Sequence, residues 1–166
     1  MSKIRLAGVV RESIVDGPGF RFVVFVQGCP HHCEGCHNPQ SHDFKDGYLS
    51  DTDTLLEEIK KNPLLSGVTF SGGEPFCQPE ALSKLGAQVK KLGLNVITYS
   101  GYTYEELLAM QNPQVNALLD VCDYLIDGKF ILEQRDLTLQ FRGSHNQRII
   151  DLIRTREYGS VVTAEL

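Results

Sequence analysis

The sequence lacks the segments that mark exported and membrane-spanning chains. No apolar run approaches the roughly 18 residues of a spanning helix, and the N-terminal stretch, Met1 to Leu6, has no long apolar core. Lysine and arginine form no run, and the net charge of −5 gives little electrostatic reason to bind nucleic acid or an anionic membrane. We therefore expect a cytoplasmic protein that binds neither nucleic acid nor a membrane.

The cysteines do not suit a framework of disulfide bonds, because their number, five, is odd. In a reducing compartment, cysteines in such numbers indicate metal or redox chemistry. The chain of 166 residues has the length of one domain, is large enough to bury a core without disulfides, and is shorter than the roughly 250 residues of a full eight-fold β/α barrel. We expect residues 1–166 to form a single domain.

Strand and helix signals alternate along the chain. Strands are predicted over 4–10, 20–28, 67–70, 94–99, 121–126 and 146–150. Three helical stretches are predicted, and the first is capped by Ser50 and Asp53. The second begins at Pro79, and its apolar face carries Leu82, Leu85, Val89 and Leu92. The third is capped by Thr103 and Glu106 and is broken at Asn112 and Pro113. This alternation predicts an α/β fold of parallel β/α units, with no element assigned over 151–166.

Three closely spaced cysteines, Cys29, Cys33 and Cys36, directly follow the apolar strand over 20–28. This position is the carboxyl edge of a predicted sheet, where open α/β folds hold their ligands. A cubane 4Fe-4S cluster is normally held by four thiolates, so three cysteines leave one iron able to bind another ligand. We interpret the loop as an iron–sulfur site with one open iron.

Two other metal sites compete with this interpretation. Zinc is possible because four histidines lie close to the cysteines, at His31, His32, His37 and His42. The run from Cys33 to His37 also matches Cys-x-x-Cys-His, the attachment signal of c-type haem. The two remaining cysteines are interpreted as local packing residues, with Cys122 at the head of a buried strand and Cys77 just after a glycine-rich turn.

The cysteine spacing, Cys-x₃-Cys-x₂-Cys at a strand end, is followed at the next predicted strand by Gly-Gly-Glu-Pro at residues 72–75. Together the two motifs resemble the radical S-adenosylmethionine superfamily. Further segments are similar to the activating proteins of class III anaerobic ribonucleoside-triphosphate reductases within that superfamily: Asp16 to Arg21, Cys36 to Pro39, Gly101 to Leu107, Asp127 to Phe130 and Arg142 to Arg148. The resemblance covers about residues 5–150 and implies an open, partial β/α barrel.

The resemblance also implies roles for individual residues. Cys29, Cys33 and Cys36 would hold a 4Fe-4S cluster, one per chain, whose fourth iron binds the amino and carboxylate groups of S-adenosylmethionine. The cofactor contacts implied around it are Gly35, Cys36, His37, Gly72, Gly73, Glu74, Asp127, Gly128 and Lys129. Among these, Glu74 would supply negative charge for the methionyl ammonium, and Lys129 would pair with the methionyl carboxylate.

One position departs from the superfamily pattern. Many members have an aromatic residue just before the third cysteine, where it helps to hold the adenine, and this chain has Gly35 there. His37, immediately after that cysteine, would supply the ring face for the adenine instead. Asp16 and the turn after it either receive a protein substrate or form a simple tight turn, and Arg142 to Arg148 are either contact residues or surface charges.

By resemblance the protein is an enzyme with no catalytic side chain beyond the ligands of its cluster and cofactor. It would generate a 5′-deoxyadenosyl radical and install a glycyl radical on an anaerobic ribonucleoside-triphosphate reductase, with electrons from a flavodoxin or ferredoxin. Alternatives are activation of another glycyl-radical enzyme of the pyruvate formate-lyase type, a radical reaction on a small molecule, and a metal-binding module without turnover.

Overall fold

A computed structural model describes residues 2–166, which form one mixed sheet with helices between its strands. Within these residues the strands are β1 Lys3–Ser13, β2 Arg21–Val26, β3 Tyr48–Asp51, β4 Gly67–Gly72, β5 Asn95–Tyr99, β6 Tyr124–Asp127 and β7 Arg148–Asp151. The α-helices are α1 Thr52–Lys60, α2 Pro79–Lys91, α3 Tyr104–Ala109, α4 Pro113–Val121 and α5 Leu152–Tyr158. The expected α/β class is confirmed.

Parallel strands occupy the centre of the sheet, and antiparallel strands lie at both edges. The strand order is β3-β1-β2-β4-β5-β6-β7, in which β2, β4, β5 and β6 are parallel. On one side β1 and the edge strand β3, and on the other side the edge strand β7, pair antiparallel with their neighbours. The predicted parallel β/α units are therefore confirmed for the centre of the sheet. The sequence does not predict β3, because two of its four residues are exposed, the other two are half-buried, and they carry no apolar alternation.

The strand that leads to the cysteines is buried on both faces, as its apolar run predicts. In β2, Phe22, Val23 and Val24 are at most 1% exposed. Their side chains alternate between the two faces of the sheet, and both faces are covered. The cysteine loop thus starts from a fixed point.

The main core lies where the sheet meets α1, α2 and α4. It joins residues of these helices, such as Leu55, Leu85 and Leu118, to strand residues such as Phe22 and Phe70. A smaller cluster of Ile97, Ile126 and Ile149 packs with residues from the C-terminal segment, including Ala164 and Leu166. Residues 151–166, unassigned from the sequence, form α5 and then run beside β7, where the Ala164 amide donates to the Ile149 carbonyl at 2.8 Å.

Helix boundaries confirm some of the predicted capping signals and correct others. Thr103 and Glu106 form the predicted reciprocal capping box at α3. The predicted box at Ser50 and Asp53 is wrong, because Ser50 pairs with β1 and Asp51 caps α1 by accepting from the Thr54 amide. Any short polar side chain at this strand-to-helix junction carries the same sequence signal, and the strand pairing decides between them.

Two apolar assignments also change. Leu92 follows the last residue of α2 and is 42% exposed, so it is not on the buried face with Leu82, Leu85 and Val89. Cys122 ends α4 instead of heading a strand, and its thiol lies 3.1 Å from both the Leu118 carbonyl and the Thr98 hydroxyl. Burial raises the pKa of this thiol to about 12, as suits an inert packing residue.

Candidate functional site

A cavity of about 520 Å³ lies at the carboxyl ends of the four parallel strands. Each strand contributes the residues with which it ends, because parallel strands present these ends at one edge of a sheet. The lining includes Phe25, Ser71, Gly72, Gly73, Tyr99, Ser100, Gly101 and Gly128. The predicted location of the site, at this edge, agrees with the geometry.

All three cysteines of the motif line this cavity. Cys29 is buried, whereas Cys33 and Cys36 are partly exposed, and all three are free thiols. The loop returns to its starting strand, since the amides of Gly28 and Cys29 donate to the carbonyls of Ser41 and His42 at 2.7 and 3.1 Å. The loop therefore gathers the thiols at one place beside the ends of the strands.

Backbone amides contribute to the surroundings of the three sulfur atoms, and the Asn38 amide donates to the Cys36 sulfur at 3.4 Å. Burial raises the pKa of Cys29, and the amides of His31 and His32 act against that rise. Burial also raises the pKa of Cys33, and here the amide of Phe130 acts in the opposite direction. Amides that face a sulfur stabilise its thiolate form, which is the form that binds metal.

The donor set fits an iron–sulfur cluster. Within residues 2–166, no three His, Cys, Asp or Glu side chains converge closely enough to hold a single metal ion. A cubane does not require that convergence, because each thiolate binds a different iron. Three thiols around one cavity, one of them accepting a hydrogen bond from the Asn38 amide, are compatible with a cluster that has three protein ligands.

Gly72 and Gly73 line the cavity, and their lack of a side chain has a structural reason as well. Gly72 has φ +94°, and a Cβ there would lie 2.6 Å from the Val26 amide nitrogen. A Cβ on Gly73 would collide with the Gly28 carbonyl. These glycines allow the β4 turn to pack directly against the start of the cysteine loop.

Glu74 is fully buried behind the wall of the cavity and is not part of its lining. Its carboxylate accepts hydrogen bonds from the amides of Phe76 and Gly101, at 3.0 and 2.8 Å. The Ser100 hydroxyl donates to it at 2.9 Å, and the His31 ring nitrogen Nε2 lies 2.7 Å from Oε1. The carboxylate therefore connects three segments of the cavity wall.

The three residues from Asp127 to Lys129 have different surroundings: the first is buried in the protein, the second lines the cavity and the third is exposed to solvent. Asp127 is 1% exposed and pairs with the Arg148 guanidinium, whose Nε lies 3.1 Å from Oδ1. Gly128, with φ +96°, lines the cavity. Lys129 is exposed, and its charge lowers the pKa of Cys33 against the larger effect of burial. Asp127 and Lys129 are not among the lining residues.

An aromatic residue without a predicted role, Phe130, lies beside the position where the superfamily pattern has an aromatic. A Cβ on Gly35 would lie 3.3 Å from the Phe130 ring, and the His37 ring packs against Phe130 with centroids 5.1 Å apart. Both rings line the cavity, whereas Gly35 does not. The only sequence signal for Phe130 is its place in the strand-end motif that begins at Asp127.

Asp16 lines the cavity on the side of the turn that precedes β2. This turn is held by Arg21, a fully buried arginine that donates to the Pro18 carbonyl at 3.2 Å and to the Thr69 hydroxyl at 2.8 Å. Burial lowers the pKa of Arg21 to about 10. The Asp16 carboxylate accepts from the Ser13 hydroxyl at 2.5 Å, so the acid has a fixed position at the cavity.

A family model described as a 4Fe-4S single cluster domain matches residues 15–150, and the chain belongs to this family. The match begins just before the Asp16 turn and ends in β7, so it contains the whole cavity edge of the sheet.

Among curated proteins, the chain is similar to several named anaerobic ribonucleoside-triphosphate reductase-activating protein. The relative from Haemophilus influenzae is 37% identical over 144 residues, which cover 82% of this chain and 90% of the relative. The relative from Escherichia coli K12 is 32% identical, covering 81% and 90%, and that of the phage T4 is 33% identical, covering 81% and 86%. The chain belongs to the family of anaerobic ribonucleoside-triphosphate reductase-activating proteins.

These matches confirm the resemblance on which the sequence interpretation rests, and with it the 4Fe-4S cluster and S-adenosylmethionine as cofactors.

Among solved structures, QueE from Escherichia coli aligns with 61% of this chain and 53% of its own length, at a TM-score of 0.48 and 18% identity. Within residues 2–166, no helix has the length and apolar character needed to cross a bilayer.

Proposed function

We propose that this protein is an activating enzyme that installs a glycyl radical on an anaerobic ribonucleoside-triphosphate reductase. The observation that carries the proposal is the position of Cys29, Cys33 and Cys36 in one loop, around a cavity built from the ends of four parallel strands. The names of the curated relatives support the choice of reductase.

The three thiolates hold the cluster, and backbone amides oppose the rise that burial causes in the pKa of Cys29 and Cys33. When bound, the reduced cluster supplies the electron that cleaves S-adenosylmethionine into methionine and a 5′-deoxyadenosyl radical. The role of the protein is to hold the reactants close together and to limit the access of water.

The backbone around the cavity receives the methionyl part of S-adenosylmethionine. Gly72, Gly73 and Gly128 present main chain without a Cβ at the wall. Glu74 fixes that wall from behind by accepting from the Gly101 amide, and its negative charge would favour a methionyl ammonium bound at the wall. Lys129, which is exposed near Cys33, has the reach to pair with the methionyl carboxylate.

The adenine lies, in this proposal, against the rings of His37 and Phe130. These rings are in contact at the cavity, on the side of Cys33 and Cys36. Gly35 leaves the space in which the Phe130 ring lies, since a side chain there would meet that ring and Leu132. Aromatic faces stack on purines without a need for specific hydrogen bonds. Asp127 positions this segment through its ion pair with Arg148.

The proposal includes an open β/α barrel that forms one domain. The central strands follow one another in the order β2-β4-β5-β6, each parallel to the last, and the antiparallel edge strands do not close the sheet on itself. Val15 and Asp16 lie at the cavity beside the turn before β2, and Val15 is 72% exposed. An open side of this kind admits a loop of polypeptide as substrate.

Electrons come from a flavodoxin or ferredoxin, because clusters of this type work with reductants near −400 mV, as plant-type ferredoxins provide. The proposal therefore includes a cytoplasmic protein, because flavodoxins and ferredoxins donate electrons in a reducing compartment.

Anaerobic reconstitution tests the proposal. We expect about four irons per chain and formation of 5′-deoxyadenosine from S-adenosylmethionine on reduction. Incubation with the reductase, followed by EPR, should give the doublet of a glycyl radical, and a pyruvate formate-lyase sample serves as the comparison. If only the lyase gave the doublet, pyruvate formate-lyase and not the reductase would be the protein that this enzyme activates. If the protein retained zinc and took up no iron, its assignment as a radical enzyme would be wrong.

A further inference from the structure

The contact between Glu74 and His31 joins the metal-binding loop to the wall of the cavity. His31 lies between Cys29 and Cys33, and its side chain is 5% exposed. Its ring nitrogen Nε2 lies 2.7 Å from Oε1 of Glu74, whose side chain is completely buried. A contact buried at both partners is little screened by water, so its loss leaves one acceptor position of the buried carboxylate unfilled.

The carboxylate has little capacity left for another donor. It already accepts from two backbone amides and one hydroxyl, at Phe76, Gly101 and Ser100, in addition to His31. An ionised carboxylate offers about four acceptor positions. His31 therefore completes the set of donors that compensates a charge buried without an arginine or lysine partner.

The ring of His31 is also fixed by its neighbours. It meets Tyr102 edge to face, with ring centroids 4.5 Å apart. Any Cβ at Gly101 would overlap the imidazole ring, so this glycine leaves the space that the ring occupies. The ring thus has one position, set by Glu74, Gly101 and Tyr102.

The same residue lies two positions after the first cysteine, Cys29, in the chain. The backbone amide of His31 opposes the rise that burial causes in the pKa of Cys29, while the side chain of His31 reaches Glu74. A displacement of the ring therefore moves an amide that helps to stabilise a cluster ligand. Partners of metal ligands typically change metal affinity or activity by about 10- to 100-fold when they are removed.

We propose that His31 is a positioning residue, which transmits the rigid position of Glu74 to the Cys29 end of the cysteine loop and so retains the cluster. This inference rests on the proposed function only in requiring that the cysteines hold a cluster. It assigns to Glu74 a partner, His31, that the Gly-Gly-Glu-Pro motif itself does not predict. It also gives the first histidine of the loop a role other than metal ligation.

The test compares His31→Leu, which removes the donor, with His31→Gln, which keeps an N–H group at similar reach. The reconstituted proteins are challenged anaerobically with an iron chelator, and the rate of iron loss is recorded. We expect His31→Leu to lose iron at least about 10-fold faster than the wild type, and His31→Gln within about threefold of it. The EPR spectrum of the reduced cluster should change in His31→Leu and be restored in His31→Gln.

A double-mutant cycle with Glu74→Gln separates positioning from loss of stability. If the two residues act as one unit, the double variant His31→Leu with Glu74→Gln loses iron no faster than the worse single variant. Additive effects in this cycle would overturn the proposal, as would a His31→Leu protein with the chelation rate and EPR spectrum of the wild type. Thermal unfolding of the metal-free variants shows whether each one folds.

The outcomes distinguish this inference from the proposed function. If the wild type cleaves S-adenosylmethionine and His31→Leu retains its cluster normally, the positioning role is wrong while the enzyme assignment stands. If no cleavage occurs but the chelation rates follow the predicted order, the positioning role stands and the enzyme assignment fails.

Discussion

The cysteines and the acids of the sequence motifs differ in whether their side chains face the cavity. The thiols of Cys29, Cys33 and Cys36 line the cavity. The acids of the neighbouring strand ends, Glu74 and Asp127, are at most 1% exposed and bond to the protein. The sequence pattern suggests cofactor contact for both kinds. The thiols line the cavity, as the proposed function requires of cluster ligands, whereas the acids bond to the protein that surrounds it.

The two acids are themselves stabilised differently. Asp127 faces a full positive charge on Arg148, which also reaches Glu105 at the surface. Glu74 has amides, a hydroxyl and an imidazole as its donors. Asp127 therefore depends on one strong partner, whereas Glu74 depends on several weaker ones. Single substitutions should reveal this difference.

The largest effect is expected from Cys33→Ala, which removes a thiolate that faces the cavity. With two of its three ligands left, the cluster should be lost or inactive, and formation of 5′-deoxyadenosine should be abolished. The matched control is Cys77→Ser, because Cys77 does not line the cavity. Cleavage that persists in Cys33→Ala would show that the ligand assignment is wrong.

The second effect, on stability, is expected from Arg148→Met. It leaves the buried Asp127 charge with the Tyr104 amide as its remaining donor, and we expect a loss of about 3 kcal/mol in the free energy of unfolding, the lower end for a broken buried pair. Urea denaturation of the metal-free protein measures it. Arg154→Met, which removes an exposed pair with Asp151 at 3.8 Å, should cost less than about 0.5 kcal/mol. Equal losses in the two variants would contradict the role given to Asp127.

A smaller loss, of about 2 kcal/mol, is expected from Glu74→Gln. The amide removes the charge, but it places an NH₂ group among donors and leaves one oxygen where two accepted. Urea denaturation again gives the value. A more stable Glu74→Gln protein would mean that the buried charge is not compensated by its donors.

The smallest effect is expected from Thr103→Ala, at the start of the helix that follows the Glu74 contacts. This substitution removes an exposed capping box and should cost about 1 kcal/mol. Cluster retention should remain that of the wild type, because the cap does not contact the cavity. Faster iron loss in this variant would show that α3 also helps to retain the cluster.

The parts of the fold and site that sequence could predict are those determined locally. The apolar run of β2 predicts its burial, Thr103 and Glu106 predict their own capping box, and the cysteine spacing predicts the loop at a strand end. In each of these cases, neighbouring residues contain the physical cause. Thus the central strands and the position of the cysteine loop were predictable.

Features that depend on distant parts of the chain were not predictable in the same way. The direction of Glu74 is determined by donors at His31 and Ser100, which are 43 and 26 residues away. The place of Phe130 beside Gly35 follows from the packing of two loops that the sequence separates. Ser50 lost its predicted capping role because β3 pairs with β1, a contact without a local signal.

The open iron is the central claim, and Mössbauer spectroscopy of the reconstituted protein tests it most directly. On addition of S-adenosylmethionine, about one iron in four should change its isomer shift while the others keep their thiolate-ligated spectrum. A spectrum in which all irons are equivalent, and unchanged by S-adenosylmethionine, would contradict the claim.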